Sequence, residues 1–211
     1  MKLKYIIFFI ILILVVYKSV YFKPLDSVKS LQAQQSFDAK DFANSFWTEQ
    51  LLPNIDRAVE APVLLDLLET DPAKAQQDYS KTVGIASVHY YFLSGQGRVL
   101  SINDEGISIS VRSPQVKADI LVATQYIFGN AVRDATGKID VSQFSNSLDF
   151  NNVAVQLNSL VTAQVIEPFV STVKPGMLIK FAGAAEVSED ETDILPLRLV
   201  PVMLEGIEGL L

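Results

Sequence analysis

Apolar residues follow three rhythms along this chain, and each rhythm predicts a different kind of element. The first is an unbroken run. From Tyr5 to Tyr17 every position is apolar or aromatic, and the wider stretch Tyr5 to Phe22 reads YIIFFIILILVVYKSVYF. As a helix it would span about 27 Å, close to the hydrocarbon thickness of a bilayer. Lys18 lies near its end, where a lysine reaches the headgroups along its own stem. The second rhythm has helical spacing. Asp38 is placed as an N-cap, and Phe42, Phe46, Trp47, Leu51, Ile55 and Val59 fall near one face. Pro53 must kink or restart that helix. Asp71-Pro72 starts another, with Asp71 as cap and Pro72 at the first helical position.

The third rhythm is alternation, from Ile85 onward. Val88, Tyr90 and Phe92 alternate with His89, Tyr91 and Leu93, and Gly95 and Gly97 interrupt the strand before it resumes at Arg98. Ile107, Ile109 and Val111 alternate with polar neighbours as a hairpin partner. Lys117 to Ile127 is a third strand. A polar stretch, Phe128 to Asn152, leads to a helix with Asp149 as its expected cap. Its stripe is Val153, Leu157, Leu160, Val161 and Val165, and Pro168 is its expected end. Met177 to Val187 and Leu197 to Glu205 complete five strands. The predicted fold class is α+β. A transmembrane helix (1–23) and a helical stalk (24–83) precede a five-stranded domain (84–211) with a helix between its third and fourth strands.

The flanks of the first run decide between an anchor and a cleaved signal. No pair of small residues follows the core, and Tyr17 is too large for a signal-cleavage pocket. An uncleaved anchor is therefore favoured over a cleaved signal or a buried soluble helix. Lys2 and Lys4 place the N-terminus on the cytoplasmic side. The expected location is the inner membrane, crossed once, with the C-terminal domain in the periplasm or outside.

Charge narrows the partners. The chain carries 17 basic and 24 acidic residues, a net −7. Without Lys2, Lys4, Lys18 and Lys23, the rest holds 13 basic against 24 acidic residues, a charge of −11. Such a surface repels phosphate backbones, so nucleic acid is not an expected partner. There is no cysteine, which excludes disulfides, thiol nucleophiles and a cysteine-linked lipid within this sequence.

The densest polar set is Asn130, Arg133, Asp134, Asp140, Asn146, Asp149, Asn151 and Asn152. Amides, carboxylates and a guanidinium fork suit a hydroxyl-rich ligand or a carboxylate partner. The same residues suit turns, helix caps and an internal ion pair. A second, acidic cluster is Glu186, Glu189, Asp190, Glu191 and Asp193, which also reads as a solvated loop. His89 is the only histidine. It could act as a base only beside a nucleophile and an orienting group. No metal site, cofactor motif or catalytic signature is evident, and none of these is expected.

Three strands, a helix and two strands, with a long glycine-bent first strand, resemble the OB-fold, a small five-stranded barrel. VKPGMLIKFAGAAEV at 173–187 looks like its fourth strand, returning through Gly183. Nearly the whole chain also resembles a bacterial family of unknown function catalogued as predicted periplasmic lipoproteins. The matching stretches are VVYKSVYFKPLD at 15–26, FGNAVRDATGKIDVSQF at 128–144 and FNNVAVQLN at 150–158. The resemblance implies an anchored envelope protein associated with sugar-type ABC import systems, with no established activity. The expected role is a binding or assembly module, held in the membrane through residues 5–22. It would take a small polar ligand such as a sugar, or a transporter or envelope protein partner. An envelope hydrolase using carboxylates and a purely structural spacer are the alternatives.

Overall fold

The computed structural model describes Tyr5, Phe8 and residues 37–84, 87–112 and 116–207. The expected membrane helix and the first part of the expected stalk lie outside these residues, Tyr5 and Phe8 apart. Everything from Asp38 onward forms one compact unit.

That unit begins with helix α1 (Ala39–Phe46). Asp38 caps it as expected, its carboxylate accepting from the Lys40 and Asp41 backbone N–H groups. The helix loosens into a π-turn at Trp47–Leu51 and tightens into a 3-10 turn at Leu52–Arg57. Pro53 sits at the start of the 3-10 turn, where its missing N–H costs nothing. Val59 is not part of the helical face. It opens a two-residue strand, β1 (Val59–Glu60). Helices α2 (Ala61–Thr70) and α3 (Pro72–Tyr79) follow, α3 capped by Asp71, then a second short strand, β2 (Ser80–Lys81).

Five longer strands make the sheet: β3 (Val88–Asn103), β4 (Gly106–Ser110), β5 (Ile120–Ala123), β6 (Leu178–Ser188) and β7 (Leu197–Gly206). Pairing runs β3–β4–β5–β7–β6 and returns to β3, so the five strands close into a cycle. Only β5 and β7 run parallel within it. The expected order of three strands, a helix and two strands holds. Strand β3 runs through Gly95 and Gly97 without a break, and the register shift comes between Val99 and Ser101 instead. The third strand is far shorter than Lys117–Ile127, because the chain leaves the sheet after Ala123.

Alternation explains the two layers of packing. Tyr91, Leu93, Ile107, Ile109, Ile120, Val122, Ile179, Phe181, Leu197 and Leu199 fill one core. Leu64, Leu65 and Leu68 of α2 and Ala75 of α3 are buried in that same core. The expected boundary at 83/84 therefore fails. The apolar spacing in 61–75 belongs to helices that complete the sheet's interior, not to a stalk. The alternate residues Tyr90, Ala182, Ala184, Val200 and Val202 are buried too.

Over the sheet lie α4 (Ala131–Asp134) and a long composite helix. The composite comprises α5 (Ser147–Leu160), a π-turn at Val161–Ile166, and α6 (Glu167–Val170). Asn146, not Asp149, caps α5, accepting from the Asp149 backbone N–H. Pro168 does not end the run. The π-turn shifts the hydrogen-bonding so that Pro168 falls at the start of α6, where no N–H is needed. Val153, Leu157, Val161 and Val165 are buried as the stripe requires. Among the described residues Ser147–Val170 alone is long and apolar enough to cross a membrane, and nearly half of it is buried within the protein.

Candidate functional site

The eight polar residues singled out from sequence do not converge on one point. Arg133 and Asp134 turn inward, at 3% and 2% exposure. The guanidinium makes a two-pronged pair with its own neighbour: Nε to Oδ1 at 2.7 Å and Nη2 to Oδ2 at 2.9 Å. Nη1 donates to the Phe150 carbonyl at 3.2 Å and the Asn151 side-chain oxygen at 3.3 Å. The planar group also lies over the Phe150 ring, which begins an aromatic chain through Phe144 to Phe42 of α1.

Two others are caps. Asp140 accepts from Ser142 N–H and shares a capping box with Gln143 at a 3-10 turn, Val141–Gln143. Hydrogen bonds from the Ser142 hydroxyl and N–H hold its carboxyl below the usual range. Asn146 caps α5, and its amide also donates to Asp149. Asn152 lies exposed on α5.

Asn130 and Asn151 do meet. They line a groove of about 420 Å3 with Asn158, Ser159, Thr162, Val155 and Phe128. Asn151, Val155, Asn158 and Thr162 follow helical spacing along one face of the composite helix, so Asn158 was readable from FNNVAVQLN. Asn158 donates one amide hydrogen to the Gly129 carbonyl at 3.0 Å, which ties the groove's two walls together. Its side-chain oxygen and the Asn151 side-chain nitrogen have no protein partner among the described residues, leaving an acceptor and a donor group for a ligand hydroxyl.

Phe128 forms the ridge beside this groove and is 68% exposed; Tyr126, two residues earlier, is 79% exposed. Tyr126 holds φ at 53°, a left-handed conformation that a tyrosine rarely adopts. Arg198 fixes the segment, donating to the Tyr126 carbonyl at 3.1 Å with its guanidinium 5.6 Å from the Phe128 ring centre. Of these two exposed aromatics, Tyr126 alone sits on strained backbone, at a cost the surrounding contacts must hold.

Across the ridge lies a smaller hollow of about 230 Å3, lined by Val88, Phe128, Ala184, Glu186, Glu191 and Arg198 among others. Two acidic residues of the sequence cluster thus share it with an arginine, while Asp190 and Asp193 stay on the exposed loop. Partial desolvation pushes the Glu186 carboxyl up. Arg198 opposes that, and Asp134 and Glu191 add to it. Beside it the Tyr90 hydroxyl is pushed up by burial and by Asp134 and Glu186, against Asn130 and Arg133.

His89 stands between two partners: its Nδ1 is 3.1 Å from the Ser80 hydroxyl and its Nε2 3.1 Å from Glu189. A serine, a histidine and a carboxylate in a row invite a nucleophilic reading. Yet the Ser80 hydroxyl donates to the Gln76 carbonyl at 2.7 Å, so its proton is turned away from the ring. The trio joins β2, β3 and the loop after β6. Among the described residues no three His, Asp or Glu side chains gather as a metal site.

The described fold matches a crystal structure of an OB-fold protein from Thermotoga maritima. The TM-score is 0.75 and the identity 29%, over 82% of this chain and 99% of that one. Among curated proteins nothing matches. Residues 10–205 match the family model described as "Predicted periplasmic lipoprotein (DUF2291)". The family's description implies a lipid on cysteine, and the 211 residues contain none to carry it. With nearly its whole length matched, the chain belongs to this predicted periplasmic lipoprotein family, whose function is unknown.

Proposed function

We propose that this protein is a non-catalytic envelope module that binds a small hydroxyl-rich ligand, such as a sugar, in the amide groove beside Phe128. The observation carrying this reading is the groove itself: unspent amide groups of Asn151 and Asn158 beside an exposed aromatic face. Amides hydrogen-bond hydroxyls, and an aromatic ring covers the apolar face of a pyranose. The anchor in this proposal is the Tyr5–Phe22 segment, as a single-pass helix of the inner membrane. Its companion would be an ABC import system for sugars, whose substrate matches the groove's chemistry.

The test is a monosaccharide panel titrated into the full chain in detergent, read by thermal midpoint and calorimetry. A ligand that prefers the native state raises the midpoint in a saturable way. Phe128→Ala and Asn151→Ala should each weaken binding about tenfold, the cost of one good polar or stacking contact. If no sugar shifts the midpoint, or both variants bind like the parent, the groove is not the site. The import role is tested separately, by whether a permease co-purifies stoichiometrically with the full chain.

A further inference from the structure

A second cleft, of about 340 Å3, opens on a different part of the surface. It is lined by Asn54, Arg57, Val59, Asp78, Tyr79, Lys81, Phe92, Thr136 and Lys138, with Ala135. Three cations therefore face one hollow in a chain whose net charge is −7. Asp78 is the one carboxylate in that lining. The other arginines are engaged: Arg98 with the Gly176 carbonyl, Arg112 with Asp66, Glu69 and Asp119, Arg133 with Asp134, and Arg198 with the Tyr126 carbonyl. Among the described residues, Arg57, Lys81 and Lys138 form no ion pair.

The placement is built into the backbone. Arg57 closes the 3-10 turn after α1, Lys81 ends β2, and Lys138 follows the turn after α4. Gly137 takes φ +63°, and a Cβ there would come within 2.9 Å of the Lys81 stem. The glycine thus lets the Lys81 side chain lie across the turn that presents Lys138. Three like charges brought together without an internal partner repel one another, and an anion in the hollow relieves that repulsion.

We infer that this cleft binds a small dianion of the phosphate-ester class. Three cations against one carboxylate leave a local charge of +2, which a phosphate monoester matches near pH 7. Arg57 supplies a planar fork for two phosphate oxygens, and the two lysines act as point charges. Asn54, Thr136 and Tyr79 offer neutral hydrogen-bonding groups, and Phe92 and Val59 an apolar wall for the ester's carbon body. The volume is that of a small-molecule pocket. This site shares no lining residue with the groove beside Phe128.

The experiment titrates inorganic phosphate, glucose 6-phosphate and glucose into the full chain in detergent, at constant ionic strength set with sodium chloride. Calorimetry and the thermal midpoint are the readouts. Saturable binding of phosphate and tighter binding of glucose 6-phosphate are expected. Arg57→Gln and Lys138→Gln, both at exposed positions, should each weaken that binding about tenfold while leaving the midpoint of the free protein unchanged or slightly raised, since each removes one of three like charges. Glucose binding, if present at the Phe128 groove, should be unaffected by either variant. The inference is overturned if neither phosphate compound binds saturably, if chloride produces the same shift, or if both variants bind like the parent.

Discussion

The Arg133 guanidinium carbon lies 3.5 Å from the centre of the Phe150 ring, while the same side chain is doubly hydrogen-bonded to Asp134. One buried cation thus joins α4 to α5 and, through Phe144, to α1. Breaking a buried pair by removing one member leaves the other charge stranded, at a cost of about 3–5 kcal/mol. Arg133→Ala should lower the urea midpoint accordingly. Arg133→Ala with Asp134→Ala should recover part of the loss, and a double-mutant cycle measures how much.

Asp119 gives the fold an acid sensitivity. Burial alone would raise its carboxyl. Hydrogen bonds from the Val111 and Arg112 backbone N–H groups, the Arg112 guanidinium and the Ser110 hydroxyl outweigh burial and hold it below the usual range. A folded value below the unfolded one stabilises fully above about pH 3.9, and the benefit is lost as pH falls through the folded value. Asp119→Asn should therefore be less stable at neutral pH and should lose less stability than the parent on acidification. Chemical denaturation at a series of pH values checks both.

Glu186 has the opposite sign. Its folded value is raised, chiefly by desolvation, so the ionised carboxylate weighs against the fold above the ordinary glutamate range and ceases to do so as pH falls. Glu186→Gln should raise the thermal midpoint at pH 7 and show little gain near pH 4. Equal gains at both values would assign the effect to packing.

Tyr126 tests whether strain is kept for a purpose. At φ 53° a glycine is at ease where tyrosine is not, and the difference is about 1 kcal/mol once glycine's greater chain entropy is counted. Tyr126→Gly should hold or slightly raise stability in a denaturant titration. In the proposed role it should also weaken sugar binding at the neighbouring ridge.

Gly183 is required by close approach. A Cβ there would sit 2.5 Å from the Val200 carbonyl oxygen and 2.8 Å from the Leu199 side chain, where the β6–β7 register shifts. Gly183→Ala should cost about 1–3 kcal/mol by overpacking. Faster amide exchange along β6 and β7 would locate the damage.

Much of the fold was legible because its determinants are local. Asp38 and Asp71 cap where their side chains permit, and alternation in 88–93 and 179–187 separates two faces whatever covers them. What escaped depends on partners distant in sequence. Leu64 and Leu65 look alike in a stalk and in a core, and only the sheet's open interior decides. Pro168 reads as a stop until a π-turn upstream moves it to a first helical turn. At the site, Asn130 and Asn151 were visible as residue types, but Arg133 shares their chemistry and turns inward. Phe128 carries no local signal of its role, because an exposed phenylalanine looks in sequence like any core phenylalanine. The three cations of the second cleft lie at positions 57, 81 and 138, too far apart for any window to join them.

The cyclic pairing of β3 through β7 has a consequence for how this molecule meets its neighbours. Closure of these five strands removes the two long edges an open sheet would present to visiting polypeptides, and β1 and β2, which pair with β3 alone, are only two residues long. In a compartment crowded with newly exported, half-folded chains, that guards against capture by strand addition. It also favours association through side chains, on the helical layer or in the clefts beside it.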